Sequence, residues 1–350
     1  MKRKKMKRNS FMFMAVIFFV GMLSSVALAE TKQEIIEKAK KEGALTLYWS
    51  LAGAVADPII EGFNKLYPFI KVNRVQVASF QMIARYYQEV QARRPTADMI
   101  SVTDLLPFLQ FAKEGNLLQY DCPAWDNLVD LPKDFVRRGY WAPIRLDPMG
   151  IVVNTNIIDP NTIKSYDDVL QDRFKGKIGA GDVEHSDNAY PFYYALRKAT
   201  NSTHYWKRLG ELNAQVFTSS EKGAEACVSG EWPVIFDLWI YRGYQYGVLK
   251  GAPVKSIIPK EGAVVVPGIS AIMKQAPHPN AAKLMQDYLF DKDVQKMMVD
   301  TIGYYSPVKG VPAAKGQYAW KDIKLIPLDY DDAELHRKEW MAEWKKLMNR

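Results

Sequence analysis

Three short apolar runs decide the fold: residues 44–50 read A-L-T-L-Y-W-S, residues 70–77 read I-K-V-N-R-V-Q-V, and residues 97–102 read A-D-M-I-S-V. Each run is followed by a segment of helical pattern, over residues 54–67, 79–93 and 105–114 respectively. Strands that alternate with helices in units of about 30 residues predict a parallel α/β layer.

The rim of that layer provides the first candidate binding residues. Because ligands of such sheets bind beyond the carboxyl ends of the strands, Ser50, Ser79 and Thr103 are expected to lie on one rim. Five aromatic residues are also placed at strand ends on the expected rim: Trp49, Phe80, Trp239, Tyr241 and Tyr305. Such rings can stack on a ligand or form an apolar wall, although packing in the core is an equally good interpretation.

A second strand–helix series fills the rest of the chain. Residues 144–154 predict a strand bent by Pro148 and Gly150, and residues 263–273 predict a long extended segment. Further strands are predicted over 177–180, 214–218 and 233–238, with helices over 189–198, 205–213, 220–229, 278–290 and 294–301. A closing helix is predicted over 333–348, and its apolar face consists of Leu335, Trp340, Trp344 and Leu347.

The first 29 residues have the pattern of a signal peptide. Six basic residues precede position 10, an apolar run covers residues 11–20, and Ala27-Leu28-Ala29 provides a small-x-small cleavage site. Cleavage after Ala29 and a periplasmic location are therefore expected. A membrane anchor is the alternative, because the segment 11–29 approaches the length of a spanning helix. No cysteine lies near the cleavage site, so the sequence does not support a lipid anchor.

Removal of this leader changes the charge balance. The whole chain of 350 residues has a formal charge of +8, but the chain without its leader has 41 Lys and Arg against 39 Asp and Glu, which is +2. A nearly neutral chain without a basic patch does not predict a nucleic-acid partner. The remaining length suffices for about two domains of roughly 150 residues each.

The motifs of common enzyme classes are missing. The sequence contains no phosphate-binding loop, no G-x-S-x-G and no H-E-x-x-H, and its four histidines are scattered. We therefore predict no catalytic, metal or cofactor site, and binding is favoured over turnover. In an oxidising compartment, Cys122 and Cys227 can form a disulfide or remain separate buried residues.

Seven motifs in order along the chain resemble one family. They are G-A-L-T-L-Y-W-S (43–50), P-I-I-E-G-F-N-K-L-Y-P (58–68), T-A-D-M-I-S-V-T-D (96–104), G-I-V-V-N-T-N (150–156), S-Y-D-D-V-L (165–170), F-K-G-K-I-G (174–179) and H-P-N-A-A-K-L-M-Q-D-Y-L-F (278–290). Their order and spacing resemble the periplasmic solute-binding proteins of ABC importers. The most similar branch is the ferric-iron-type group of extracellular solute-binding family 1, which has the type II two-lobe fold.

The resemblance implies two α/β lobes joined by two crossover hinge strands. Lobe 1 is expected over residues 30–146 and 265–308, and lobe 2 over residues 147–264 and 309–350. The lobes would close on a small-molecule ligand, since hinges of this sort absorb closure in a few residues. The implied protein partner is an inner-membrane ABC permease, and the chain itself is expected to be a monomer without a cofactor. An exported enzyme on the same fold is the alternative.

The resemblance also implies a test for iron. Ferric-iron binders of this family use an adjacent tyrosine pair after a lobe 2 strand and a histidine after the first strand. The matching positions here are Trp239-Ile240 and Ala52, which cannot ligate iron. The pairs Tyr86-Tyr87 and Tyr193-Tyr194 fall inside predicted helices, where neighbours point about 100° apart. Tyr304-Tyr305 stays open, so metal binding remains an alternative.

A loop before a predicted helix matches the anion-receiving loop of the family. It contains Ser186, Asp187 and Asn188, and the free N–H groups of a helix N-terminus attract a carboxylate or phosphate. Simple helix capping is the alternative. Arg145 and Arg242 can each clamp a carboxylate, or each can form an ordinary ion pair. The sequence thus favours a small organic anion as ligand.

Overall fold

The computed structural model describes residues 30–77, 79–186 and 188–350. The predicted signal peptide and one predicted site residue, Asp187, lie outside the described residues. Within the described ranges, no helix combines the length and the apolar character that crossing a membrane requires.

The first part of the chain forms a group of parallel strands with helices between them. Its elements are α1 (Lys32–Glu42), β1 (Ala44–Trp49), α2 (Gly53–Leu66), β2 (Lys71–Val75), α3 (Ser79–Gln91), β3 (Met99–Val102) and α4 (Leu106–Lys113). A capping box between Thr31 and Glu34 starts α1, and Gly43 ends it in the left-handed region with φ of 67°. Because β1 pairs in parallel with both β2 and β3, the predicted parallel layer is confirmed.

Two long antiparallel strands cross the middle of the sheet. They are β4 (Trp141–Asn154) and β9 (Ala263–Ile272), and both are buried along their whole length. Met149 of β4 pairs with Val264 of β9 on one side and with Trp239 on the other. The predicted bend at Pro148 and Gly150 therefore coincides with the place where β4 changes partners, followed by a register shift between Gly150 and Val152.

A second parallel group lies on the far side of β4. Its elements are β5 (Ile178–Gly181), α5 (Ala189–Thr200), α6 (His204–Glu211), β6 (Gln215–Phe217), α7 (Ser220–Ser229), β7 (Val234–Trp239), and α8 (Tyr241–Gly243), which continues as a π-helix over Tyr244–Leu249. The strand order of the main sheet is β2-β1-β3-β9-β4-β7-β5-β6. β8 (Val254–Ile257) pairs with β4, and β10 (Leu325–Ile326) pairs with β9.

Three further helices complete the structure: α9 (Pro279–Leu289), α10 (Lys292–Ile302) and α11 (Tyr330–Leu347). Helix α9 packs on α1, α10 packs on α2, and α11 packs on α5 and α6. Trp344 of α11 is buried, as predicted, but Leu335 is 80% exposed. The prediction for Leu335 was wrong because the face of α11 that packs inward is formed by Tyr330, Ala333, Trp340 and Trp344.

The two cysteines are separate free thiols in different clusters of the core. Cys122 packs in the largest cluster, whereas Cys227 packs with Val152 and Phe217. Burial raises the pKa of the Cys122 thiol far above its usual value and that of Cys227 to about 12. Both side chains therefore act as small apolar residues, which is one of the two interpretations of the sequence.

Candidate ligand-binding cleft

The carboxyl ends of both parallel groups face one cavity of about 520 Å³, which we call the inner chamber. Eight of the ten predicted site residues line it: Ser50, Ser79, Thr103, Arg145, Ser186, Asn188, Trp239 and Tyr241. They come from six separate segments of the chain, so the strand-end rule brought together residues that lie nearly 200 positions apart.

The remaining two predicted residues differ. Asp187 lies outside the described residues. Tyr305 does not line the inner chamber, whereas its neighbour Tyr304 does. The backbone of Tyr305 exchanges two hydrogen bonds with Leu146, at 2.8 and 3.2 Å, so this segment is extended and its side chains alternate. Tyr305 therefore points behind the inner chamber and packs on Trp320.

Four helices begin at the inner chamber. The residue just before or at the first turn of α2, α3, α5 and α7 lines the cavity in each case: Ala52, Ser79, Asn188 and Ser219. Ala52 has no side chain that could cap α2, and Asn188 does not cap α5. Ser219 does cap α7 by accepting a hydrogen bond from the N–H of Lys222 at 3.3 Å. Four positive helix ends around one cavity favour a negatively charged ligand.

Arg145 forms the floor of the inner chamber. Its side chain is 7% exposed, and its Nε donates a hydrogen bond to Oδ2 of Asp147 at 2.7 Å. Another nitrogen donates to the hydroxyl of Thr103, and the guanidinium lies 4.6 Å from the ring centroid of Tyr304. Burial lowers the pKa of Arg145, but the carboxylate of Asp147 outweighs it, and the net pKa is raised. The charge on the floor is therefore permanent.

The backbone opposite Arg145 is a glycine for a steric reason. Gly268 of β9 pairs with Arg145 of β4, and a Cβ atom at position 268 would lie 2.6 Å from Cγ of Arg145. Any side chain there would force the arginine side chain to shift. The antiparallel pairing of β4 and β9 thus fixes where the floor charge lies.

Arg242 of α8 supplies the second cation of the inner chamber. It donates hydrogen bonds to Ser220 at 2.9 Å and Gln245 at 2.7 Å, and it forms an ion pair of 3.2 Å with Glu221. The side chain of Glu221 is 54% exposed, so this pair is only partly removed from water. Nε of Arg242 is buried and has no hydrogen-bond partner among the described residues. Arg242 lines the inner chamber, so its positive charge lies close to the space that a ligand would occupy.

Three aromatic rings line the inner chamber: Trp239, Tyr241 and Tyr304. The rings of Trp239 and Tyr241 lie 6.3 Å apart at an angle of 17°, and Tyr304 meets Tyr241 edge-on at 4.9 Å. Burial raises the pKa of both Tyr241 and Tyr304 above the usual value. Their hydroxyls stay protonated at neutral pH, and a protonated hydroxyl donates a hydrogen bond to an anion.

The tyrosine pairs considered for iron do not meet in this cavity. Tyr86 and Tyr87 lie in α3, where Tyr86 packs on Phe111. Tyr193 and Tyr194 lie in α5, and their hydroxyls donate to Glu343 at 2.9 Å and Asp332 at 2.5 Å. Of the three positions that match the iron ligands of the family, Trp239 and Ala52 line the inner chamber and Ile240 does not.

One group of possible metal ligands lies beside the cleft within the described ranges. Oxygen and nitrogen atoms of Asp182, Glu184 and His185 lie within 4.8 Å of one another. His185 and Glu184 are exposed, Asp182 pairs with His185 at 3.1 Å, and Glu184 pairs with Lys345 at 2.7 Å. These existing pairs account for the cluster, and we assign no metal to it.

Sequence reasoning missed one segment of the site. Thr218, Ser219, Ser220 and Glu221 all line the inner chamber, where β6 ends and α7 begins. The strand over residues 214–218 was predicted, and its carboxyl end falls at the same edge as the others. Application of the strand-end rule to this strand would have found the segment.

A model of the bacterial extracellular solute-binding protein family matches residues 94–335, which is more than half of the chain. The chain belongs to the bacterial extracellular solute-binding protein family. This confirms the family expected from the sequence, a substrate-binding protein of an ABC transporter with the two-lobe α/β fold. The family consists of binding proteins, and the spermidine/putrescine-binding relatives are periplasmic proteins.

Three relatives show how varied the ligands of similar proteins are. The spermidine/putrescine-binding periplasmic protein of Salmonella typhimurium is 23% identical over 328 residues, covering 86% of this chain and 91% of the relative. The periplasmic binding protein AfuA from Actinobacillus pleuropneumoniae, with exogenous fructose-6-phosphate bound, has a TM-score of 0.74 at 21% identity. The match covers 88% of this chain and 99% of that protein. Iron-bound HitA from Pseudomonas aeruginosa has a TM-score of 0.72 at 20% identity, and the match covers 87% of this chain and 98% of that protein. These similarities support the fold but do not select a ligand.

Proposed function

We propose that this protein captures a small organic anion, a carboxylate or a phosphate ester, in the inner chamber and delivers it to an inner-membrane ABC permease. The observation that carries the proposal is the convergence of four helix N-termini with Arg242 and the hydroxyls of Tyr241 and Tyr304. All of these groups donate hydrogen bonds or carry positive charge, and none of them needs a metal to bind an anion.

The sign of the charge separates this ligand class from polyamines. Among the residues that the structure describes, Glu221 is the one carboxylate that lines the inner chamber, and it is already paired with Arg242. A polyamine would meet two arginines and four positive helix ends without enough carboxylates to balance its ammonium groups. We therefore do not extend the polyamine ligand of the spermidine/putrescine-binding relatives to this chain.

The mode of action follows from the position of the site between the two parallel groups. Lobe 1 is proposed to comprise residues 30–146 and 265–308, and lobe 2 residues 147–264 and 309–350. Each lobe provides one wall of the inner chamber, and closure of the walls would bury the ligand. The mature protein is proposed to begin at Glu30, to act as a monomer in the periplasm and to carry out no bond chemistry.

A ligand panel tests the proposal directly. The mature protein is unfolded, washed free of carried ligand and refolded, and its melting temperature is recorded with methyl phosphate, fructose 6-phosphate, acetate, spermidine or ferric citrate. A binding anion at about 100 times its dissociation constant should raise the free energy of unfolding by about 2.7 kcal/mol. Stabilisation by spermidine alone, or by ferric iron with a tyrosinate absorption band, would overturn the proposal. Consumption of a bound anion would instead indicate an enzyme.

A further inference from the structure

Helix α3 has a second apolar face that the fold covers only in part, because Ile83 and Tyr87 also pack against the core while Phe80 and Ala84 are exposed. Its inner face packs Met82 and Tyr86 into the core. Four other residues, at spacing i, i+3, i+4 and i+7, form an apolar stripe on the outer face: Phe80, Ile83, Ala84 and Tyr87. Phe80 is 69% exposed, which is unusual for a large aromatic residue. An exposed apolar stripe of this kind marks a surface that binds something.

The stripe faces a second cavity, of about 830 Å³, which we call the outer chamber. On its far side lie Val183, Glu184 and His185, from the loop that follows β5. The inner and outer chambers share Ser79, Phe80, His185 and Ser186, so the two cavities adjoin along these residues. A ligand seated on the helix N-termini can therefore extend into the outer chamber without leaving the cleft.

The far wall of the outer chamber is a poor partner for the apolar stripe. Glu184 is paired with Lys345 at 2.7 Å, and Arg337, which also lines the cavity, is paired with Glu334 at 2.6 Å. Closure of the wall directly onto Phe80 would press charged side chains against an aromatic ring and remove their water. A ligand body between the two walls avoids this cost, because it offers an apolar face to α3 and a polar edge to the loop.

From this geometry we infer that the ligand is amphipathic: its anionic group lies in the inner chamber, and an apolar, ring-sized body lies against Phe80 and Ile83 in the outer chamber. The inference rests on the proposed function, since it specifies which organic anions the same site selects. A ring face packed on Phe80 gains the burial of both apolar surfaces. Anions of the same charge without such a body lack that contribution.

Two matched pairs of probes separate the head of the ligand from its body: methyl phosphate with phenyl phosphate, and acetate with benzoate. Isothermal titration measures the four dissociation constants. In at least one pair the wild-type protein is expected to bind the aromatic member about tenfold or more tightly. Equal affinity within both pairs would overturn the inference while leaving the proposed function intact. Failure of all four anions to bind would instead count against the proposed function itself.

A Phe80→Ser variant assigns the preference to the stripe. The change should weaken binding of the aromatic probe about tenfold more than binding of its small partner. Leu335→Ser is the matched control, because Leu335 is 80% exposed on α11 and lines neither chamber. An equal loss of affinity for both probes would indicate that Phe80 acts in the closure of the walls and not in contact with the apolar body. An unchanged aromatic affinity would show that Phe80 does not contact the ligand. Either result overturns the inference.

Discussion

Two arginines line the inner chamber in very different surroundings. Arg145 lies on the floor, and Arg242 lies on the wall formed by the second parallel group. Arg145, on the floor, is held by Asp147, whose side chain is 2% exposed. Arg242, on the wall, is held by Glu221, whose side chain is 54% exposed. Both arginines touch an aromatic ring, at 4.6 Å for Arg145 and 5.3 Å for Arg242.

The difference separates a structural charge from a charge available to a ligand. Removal of one partner of a fully buried ion pair leaves the other charge in a medium that cannot solvate it. Removal of an arginine from a half-exposed carboxylate leaves a charge that water can still reach. We therefore expect Arg145 to contribute mainly to stability and Arg242 mainly to affinity.

The largest expected effect is on stability and comes from Arg145→Ala. The variant leaves the carboxylate of Asp147 buried and without its closest cation, so the free energy of unfolding should fall by about 3–5 kcal/mol. Urea denaturation followed by tryptophan fluorescence measures the change.

Two further variants keep that prediction specific. Arg145→Met combined with Asp147→Asn removes both charges and should recover most of the lost stability. Arg138→Ala removes a half-exposed arginine that pairs with Asp121 and Asp126, and it should cost less than about 1 kcal/mol. A loss below about 1 kcal/mol in Arg145→Ala would contradict a structural role for the floor.

The second-largest expected effect is on the pH dependence of stability, and it comes from a buried carboxyl group. Asp237 of β7 is 2% exposed and accepts a hydrogen bond from the N–H of Gly181 at 2.7 Å. In contrast to Asp147, it has no ion pair with a basic residue among those the structure describes. Burial raises the pKa of Asp237 from 3.8 to about 7. The folded protein therefore holds this proton in a pH range where the unfolded chain releases it.

The sign of the pH dependence follows from that pKa. Between about pH 4 and pH 7 the unfolded state binds fewer protons at Asp237, so this group lowers stability as the pH rises and has no further effect above pH 7. Relative to wild type, the free energy of unfolding of Asp237→Asn should increase by about 2–4 kcal/mol between pH 4.5 and pH 7.5. Urea midpoints of both proteins at the two pH values provide the test. Parallel changes in the two proteins would show that Asp237 does not titrate in this range.

Most of the two parallel groups could be predicted from the sequence, because apolar runs separated by helical segments leave few alternatives. The strand-end rule then placed residues as distant as Ser50 and Trp239 in one cavity. The helix and π-helix over residues 241–249 were not predicted, since Gly243 and Gly247 weaken a helical pattern.

Tertiary packing explains those two glycines. A Cβ atom on Gly243 would lie 2.1 Å from the hydroxyl oxygen of Ser256, and one on Gly247 would lie 2.3 Å from the carbonyl oxygen of Val254. The helix therefore needs glycine at both positions in order to lie against β8. This requirement comes from tertiary packing, and helix propensity does not predict it. Tyr304 and Tyr305 show the same limit, because only the pairing of Tyr305 with Leu146 decides which ring faces the inner chamber.

The smallest expected effect is on affinity and comes from Arg242→Gln. Loss of a charged donor to a bound anion should raise the dissociation constant of the best-binding anion about 10- to 100-fold. Stability should change by less than about 1 kcal/mol, because Glu221 remains accessible to water. Titration calorimetry and urea denaturation are measured on the same preparation, with Arg138→Gln as the matched arginine control outside the cleft. If Arg242→Gln retained its affinity and lost stability to the degree expected for Arg145→Ala, the roles of the two arginines would have to be exchanged. The floor would then be the surface that recognises the anion, and the wall would be the part that holds the fold together.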